Sequence, residues 1–167
     1  AGHFLVEAEK KGYAVPQSLK KNWLNYQKRM AKEWRSNSYG NDFAQAYRLY
    51  TMVLAGSPDV ASMNRLRETK TLSEEGKLRL ALSYALIDKK NMANSLFTAT
   101  NVTTEQTRFY YYGSEDRNRA MMLETMLLLG KNSEALNTAT KLAKNLSSDV
   151  WMSTQTTAYC LLAMAKM

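Results

Sequence analysis

Apolar side chains recur every three or four residues along nearly the whole chain, which is the period of an α-helix. The first such stretch, His3 to Lys11, is short and is closed by Gly12. Pro16 then stands in the opening turn of the next helix, where a missing N–H costs nothing. In that second helix Leu19, Trp23, Tyr26, Met30 and Trp34 are spaced 4, 3, 4 and 4. They form one stripe, expected to be the buried face. Residues Ser36 to Asn41 read as a polar turn. Phe43 to Ala55 is a third helix ended by Gly56-Ser57-Pro58, and Val60, Met63 and Leu66 mark a fourth.

Ser73-Glu74-Glu75 has the form of an N-cap followed by first-turn acids, which complement the helix dipole. The helix behind it, through Leu78, Leu82 and Ile87, is apolar almost all round and so is expected to be buried on most sides. Asp88-Lys89-Lys90-Asn91 turns the chain, and Met92, Ala93, Leu96 and Phe97 give an amphipathic partner. The plan recurs. Ala120 to Leu129 is nearly all apolar, and Gly130-Lys131-Asn132 turns. Ala135, Leu136, Ala139, Leu142, Ala143 and Leu146 then form one stripe. Ala158 to Ala165 is a third strongly apolar helix. The turns at Gly56, Lys89 and Gly130 lie 33 and 41 residues apart, a loose repeat of helical hairpins. Apolar helices inside and amphipathic helices outside predict an all-α fold: an α/α toroid, or an arc of antiparallel hairpins in two layers. Thr103 to Gly113, "TTEQTRFYYYG", breaks the pattern and reads as an extended loop or a short β-hairpin. Its run Tyr110-Tyr111-Tyr112 is the best surface-recognition candidate, although an extended run alternates faces and turns at least one ring inward.

With 167 residues the chain can build one domain with a real core, and 7 Gly and 2 Pro fit long helices joined by short turns. The formal charge of +8 would suit nucleic acid, but the basic residues are scattered in pairs such as Lys10-Lys11 and Lys89-Lys90, without a long run or a binding motif. They are therefore read as a solvated surface, with no nucleic-acid partner. No apolar stretch is long enough to span a bilayer. Ala1-Gly2-His3 leads directly into Phe4-Leu5-Val6 without a basic leader or cleavage site, so the chain is expected to begin inside a structural element and to have been cut from something longer.

Candidate chemistry is sparse. His3 is the single histidine and Cys160 the single cysteine, so neither a disulfide nor a His/Cys metal site is expected. No phosphate loop or nucleophile elbow appears. Glu74-Glu75 and Glu115-Asp116 each follow a serine and read as first-turn acids rather than a general acid and base. Asn101-Val-Thr103 and Asn145-Leu-Ser147 match the glycosylation sequon, which is common by chance. In "VWMSTQTTAYCLLAMAK", Val150 to Lys166, the hydroxyl cluster could suggest a reactive serine, yet no histidine or lysine stands within it to activate one. Ser153 is instead expected to cap the last helix, with Gln155 and Thr156 in its first turn and Trp151 packed over its start. Cys160 should be a buried, unreactive thiol. No catalytic, cofactor-binding or metal-ligating residue is assigned, and beyond the Tyr110-Tyr111-Tyr112 run no binding residue is singled out.

The same residues carry a family resemblance. "W-x-STQ-x-x-A-x-x-LLA", Trp151 to Ala163, resembles the last-helix signature of the thioester (complement-like) domain of bacterial α2-macroglobulins. "HFLVEAEKKGYAVP", His3 to Pro16, resembles that family's "FL-x-EA-x-x-x-GY-x-VP" stretch. "LSEEGKLRLALSYAL", Leu72 to Leu86, and "YGSEDRNRAMMLETMLLLG", Tyr112 to Gly130, fit between them in the family's order. The resemblance covers essentially the whole chain. It implies an α/α toroid within a large multi-domain protein of the periplasm or cell envelope, a broad-spectrum inhibitor that traps proteases after they cut a bait region. In many members an internal Cys–Gln thioester then acylates the protease. This chain has no Cys-x-x-Gln, since Leu161-Leu162-Ala163 follows Cys160. The resemblance therefore makes residues 1–167 the later portion of the toroid domain, and either the parent carries the thioester upstream or it lacks one.

Three functions compete. The first is a non-catalytic module of such an inhibitor, meeting proteases only through the parent protein and packing against the parent's other domains. The second is a helical-repeat scaffold that grips a peptide or protein, which a concave face lined with Tyr and Arg would favour. The third is a glycan-processing toroid enzyme. It would need a spaced acidic pair, and the acids here fall mostly in caps and on outer helices. The chain is thus expected not to be an enzyme and to need no cofactor. An apolar edge at Phe4, Leu5 and Ala8 is expected to invite self-association.

Overall fold

A computed structural model describes residues 2–36, 41–70, 72–100, 114–149 and 151–167. The expected extended segment, Tyr110-Tyr112 within it, the Asn101 sequon and most of the turn before residue 42 lie outside these. Among the described residues every regular element is an α-helix. In order they are α1 (Gly2–Lys10), α2 (Gln17–Glu33), α3 (Asp42–Leu54), α4 (Val60–Arg67), α5 (Glu74–Leu86), α6 (Lys90–Thr98), α7 (Glu115–Leu129), α8 (Asn132–Leu146) and α9 (Thr154–Met164).

The turns explain the topology. After α1, α3, α5 and α7 one residue takes a left-handed conformation: Gly12, Gly56, Asp88 and Gly130, with φ of 83°, 72°, 59° and 72°. Each is followed by an N–H that reaches back to the last helical turn: Tyr13 to Ala8, Ser57 to Met52, Lys89 to Tyr84 and Lys131 to Met126. This 6→1 closure reverses the chain at once, so each of these helices is followed by one running back across it. Asp88 fills the position that glycine holds elsewhere, as a short polar side chain can.

The result is two layers. α1, α3, α5, α7 and α9 lie side by side as an inner layer, each packed on the next. α2, α4, α6 and α8 cover them from outside. The core fills the space between, with Leu49, Met52, Met63, Leu66, Leu78, Met121 and Leu142 all fully buried. Polar bonds join the layers. Gln45 Nε2 of α3 donates to Ala31 O of α2 at 3.1 Å, and Tyr84 OH of α5 donates to Asn64 Oδ1 of α4 at 2.7 Å.

Because every inner helix from α3 onward is preceded by an outer one running the other way, these inner helices are parallel and their N-termini gather at one end. The sequence supplies caps there. Ser73, Ser114 and Ser153 accept from the N–H groups of Gly76, Arg117 and Thr156. The caps also bond sideways. Asp42 at the head of α3 accepts from Ser73 N at 2.8 Å, and Ser114 Oγ lies 2.7 Å from Thr156 Oγ1, itself 3.0 Å from Ser153 Oγ. Gly76 is required here, since a Cβ would stand 2.6 Å from Asp42 Oδ2 and 2.8 Å from Leu72 Cδ1.

Several faces differ from the sequence expectation. On α2 only Ala31 is fully buried within the helix, while Leu19 and Tyr26 of the expected stripe are about half exposed. Leu136 leaves the α8 stripe for solvent, and α9 buries one side, through Thr156, Cys160 and Ala163, while Leu161 and Leu162 are exposed. Trp151 does not cover the start of α9; it is 84% exposed. The physical reason is common to most of these. A periodic stripe says that a face is apolar, but α2, α8 and α9 stand at the ends of the arc, where one neighbour is lacking among the described residues.

The lateral cap bond can be tested. Ser114→Ala should cost about 1 kcal/mol as a lost N-cap, and with Thr156→Val should show a coupling of at least about 0.5 kcal/mol in a double-mutant cycle. Strictly additive losses in urea unfolding would show that the α7 and α9 caps act separately.

Candidate functional site

The most elaborate side-chain constellation lies on the flank of the inner layer turned away from the outer helices. Tyr47 stands two residues from Gln45 on α3, hence on the opposite side from α2. Glu124 stands two residues from Met126 on α7, whose Sδ meets Thr138 of α8 at 3.7 Å. At the centre is Arg79 of α5, 1% exposed. Its Nη1 lies 3.1 Å from Glu124 Oε2, and the other Glu124 oxygen accepts from Lys166, just beyond α9. The guanidinium lies over three tyrosine rings, at 4.5 Å from the Tyr50 centroid, 5.2 Å from Tyr159 and 5.8 Å from Tyr47. His3 of α1 completes the belt, with Nδ1 2.8 Å from Tyr47 OH and its ring edge-on to Tyr50 at 5.5 Å. Each of the five inner helices thus contributes a member.

Burial sets the proton affinities. It lowers the pKa of His3, with Glu7 opposing and Arg79 and Lys166 adding to the effect, so the ring is neutral at neutral pH. Burial likewise pushes Tyr47 up to about 12 and raises Tyr50 further still. These phenols stay protonated and can donate, but they are not bases at neutral pH. Glu124 is held between two cations. The belt therefore binds itself: Glu124 and Arg79 pair with each other, and the His3 imidazole and the Arg79 guanidinium share Tyr47 and Tyr50 as neighbours.

A second cation, Arg117, sits near the gathered N-termini, 3.4 Å from both Glu75 and Gln155 and 5.2 Å from the Phe43 centroid. It links α7 to α5, α9 and α3. Asp116 is taken by Arg119 at 3.0 Å and by the Asn145 amide at 2.9 Å, which ties the second sequon's asparagine to the α7–α8 seam. Glu75, Asp116 and Glu124, described carboxylates near the inner layer, are thus each engaged by cations or amides. No group of three His, Cys, Asp or Glu that could hold a metal occurs among the described residues. A cleft of about 210 Å³ opens between α1, α2 and α3 beside His3 and Tyr47, and its main polar group, Arg48, already donates to Gln27 Oε1 at 3.1 Å.

Residues singled out in the sequence fall in different places. Ser153 caps α9 as expected, accepting from Thr156 N, and Thr156 stands in the first turn with its Oγ1 3.0 Å from Ser153 Oγ. Cys160 is fully buried, its Sγ 3.7 Å from Asp116 O, and burial with the nearby Asp116 charge raises its pKa to about 11. Glu74-Glu75 and Glu115-Asp116 do open α5 and α7. Sequence reasoning missed the belt. The available signal was one Arg inside the apolar run of α5 and one Glu inside that of α7, a complementary pair where solvation is absent.

No family model matches the sequence, and no curated protein matches it. Among solved structures, a chain of Salmonella α2-macroglobulin reacted with methylamine superposes on 100% of this chain with a TM-score of 0.76 at 19% identity. This chain spans 12% of that one. The likeness is one of fold: the all-α, two-layered arrangement is shared along the full length.

Two outcomes check this account of the site. Arg79→Met should cost about 3–5 kcal/mol, because Glu124 is left buried beside a single cation, and Arg79→Met with Glu124→Leu should recover most of the loss. Failure of the pair to recover, measured by thermal unfolding, would mean that the charges do more than balance each other. Cys160→Ala should cost about 1 kcal/mol, and the native thiol should react with a maleimide far more slowly than the unfolded one. Equal rates would contradict its burial.

Proposed function

We propose that the chain is a non-catalytic helical domain of a bacterial α2-macroglobulin-like protease inhibitor, the later portion of a larger toroid domain in a protein of the periplasm or cell envelope. The observation that carries this reading is the full-length fold likeness to Salmonella α2-macroglobulin. The four ordered sequence stretches, His3 to Pro16, Leu72 to Leu86, Tyr112 to Gly130 and Trp151 to Ala163, support it independently. The chain spans about an eighth of that neighbour's length, so trapping would belong to the assembled parent, with this domain packed against others. No described helix is long and apolar enough to cross a membrane, so any attachment to the envelope would come through the parent.

The domain's own part in such a mechanism is mechanical. Arg79, Glu124 and their partners tie all five inner helices, so the inner layer moves as one body when the parent rearranges. Cys160 is not a thioester cysteine in this reading, because it is buried, protonated and without the Cys-x-x-Gln spacing. The scaffold alternative asks for Tyr and Arg offered on a concave face. Arg79 and Tyr50 are instead consumed within the belt, which favours the structural role.

The test is a trapping assay on the full parent protein. Trypsin mixed with it should keep its activity on a small peptide substrate and lose most of its activity on a large protein substrate. Equal loss on both, or no loss on either, would reject the proposal.

A further inference from the structure

One arginine of the inner helices has no carboxylate partner among the described residues. Arg79 meets Glu124, Arg117 meets Glu75, and Arg119 meets Glu115 and Asp116. Arg48 of α3 is half-buried, yet its partners are two neutral amides. Its Nε donates to Gln27 Oε1 of α2 at 3.1 Å and its Nη1 to Gln45 Oε1. An amide oxygen satisfies an N–H without balancing a charge. Burial accordingly lowers the Arg48 pKa from the ordinary arginine value, with no carboxylate to oppose it.

The space beside Arg48 is the cleft of about 210 Å³ between α1, α2 and α3. None of the seven described residues lining it is acidic, and none besides Arg48 is a lysine or arginine. Donors face it without partners. A guanidinium has five N–H groups, and Arg48 uses one on Nε and one on Nη1, which leaves Nη2 and the second Nη1 hydrogen. The Gln27 amide accepts through its oxygen, so its nitrogen is likewise left over among the described residues. His3 is already occupied, by Tyr47 OH at Nδ1 and by Glu7 at 3.9 Å from Nε2, and the Thr51 hydroxyl donates to Arg48 O. Ala44 and Tyr47 add carbon surface.

Size and charge select the ligand. The cleft is smaller than the roughly 300–1,000 Å³ of drug-sized sites, so it suits a molecule of few heavy atoms. One guanidinium balances one negative charge. A phosphate monoester carries about −1.5 to −2 at pH 7, whereas a monocarboxylate carries a single charge on a planar group that matches the guanidinium plane. We propose that the cleft between α1, α2 and α3 binds a small monocarboxylate, held by the free N–H groups of Arg48 and by Gln27 Nε2, with its carbon chain against Ala44 and Tyr47. This inference goes beyond the inhibitor reading and stands without it, because every group it uses belongs to this chain.

The test uses butyrate as the probe and the full parent protein. Saturation-transfer NMR should show butyrate binding in the millimolar range, and butyramide, nearly the same shape without the charge, should bind at least about tenfold more weakly. Arg48→Met should weaken butyrate at least about tenfold, and Arg48→Lys, which keeps the charge and loses the planar fork, should weaken it less. Ala44 is exposed at the cleft, so Ala44→Phe should block binding while leaving the thermal unfolding midpoint unchanged. That variant keeps the test open if replacing Arg48 disturbs folding. Butyrate that does not bind at up to about 50 mM, or that binds either Arg48→Met or Ala44→Phe as tightly as the unaltered protein, would overturn the proposal. Equal affinity for butyramide would overturn the part given to the Arg48 charge, and tighter binding of inorganic phosphate would overturn the choice of a carboxylate.

Discussion

A guanidinium held out of water is the constraint around which this fold is organised. Arg79 is buried, and a buried charge left alone would cost more than any single contact returns. It is tolerated because Glu124 supplies the opposite charge from α7 and because Tyr50, Tyr159 and Tyr47 present ring faces from α9 and α3. Those partners come from different helices, so none of the inner helices can shift without exposing the charge to an unfavourable environment. His3 and Lys166 extend the same dependence to the first inner helix and to the residue beyond the last.

The gathered N-termini pose a related problem. Parallel helices bring their positive dipole ends together, and the chain answers with acids and hydroxyls in the first turns of α3, α5, α7 and α9. Arg117 is the exception, a cation in the first turn of α7. It is accommodated by Glu75 and by the Phe43 ring, and burial lowers its pKa. Both polar clusters thus do similar work: each uses a few buried groups to fix how the inner helices register side by side, while the apolar core holds the two layers together less specifically.

This division bears on function. Among the described residues Arg79, Glu124 and His3 are engaged within the belt, and burial raises the pKa of the Cys160 thiol. What remains for interaction is the surface, and it is uneven. The outer helix α2 carries about half of the net charge, five Lys or Arg against Glu33, beside an apolar flank, and the arc's other end leaves Leu161 and Leu162 open. Among the described residues, exposed basic and apolar side chains thus gather at the two ends of the arc.

The sequence by itself determined the elements and their order. Helical period, serine caps and left-handed turn residues are local, and Gly12, Gly56, Gly130, Ser73 and Ser153 act within a few residues of their positions, so they are legible without the rest of the molecule. The sequence also marked α5 and α7 as inner, because they are apolar beyond one stripe, whereas the inner places of α1 and α3 came only from the packing. Tertiary structure alone decided what those stripes face. Leu19, Tyr26, Leu136 and Leu161 satisfy the same periodicity as buried residues, yet they stand at the ends of the arc, and no local rule records where the described packing stops. It also decided the polar belt. Arg79 and Glu124 lie 45 residues apart in sequence, and their pairing depends on α5 and α7 lying side by side at one height, a relation set by the packing of both layers and written in neither helix.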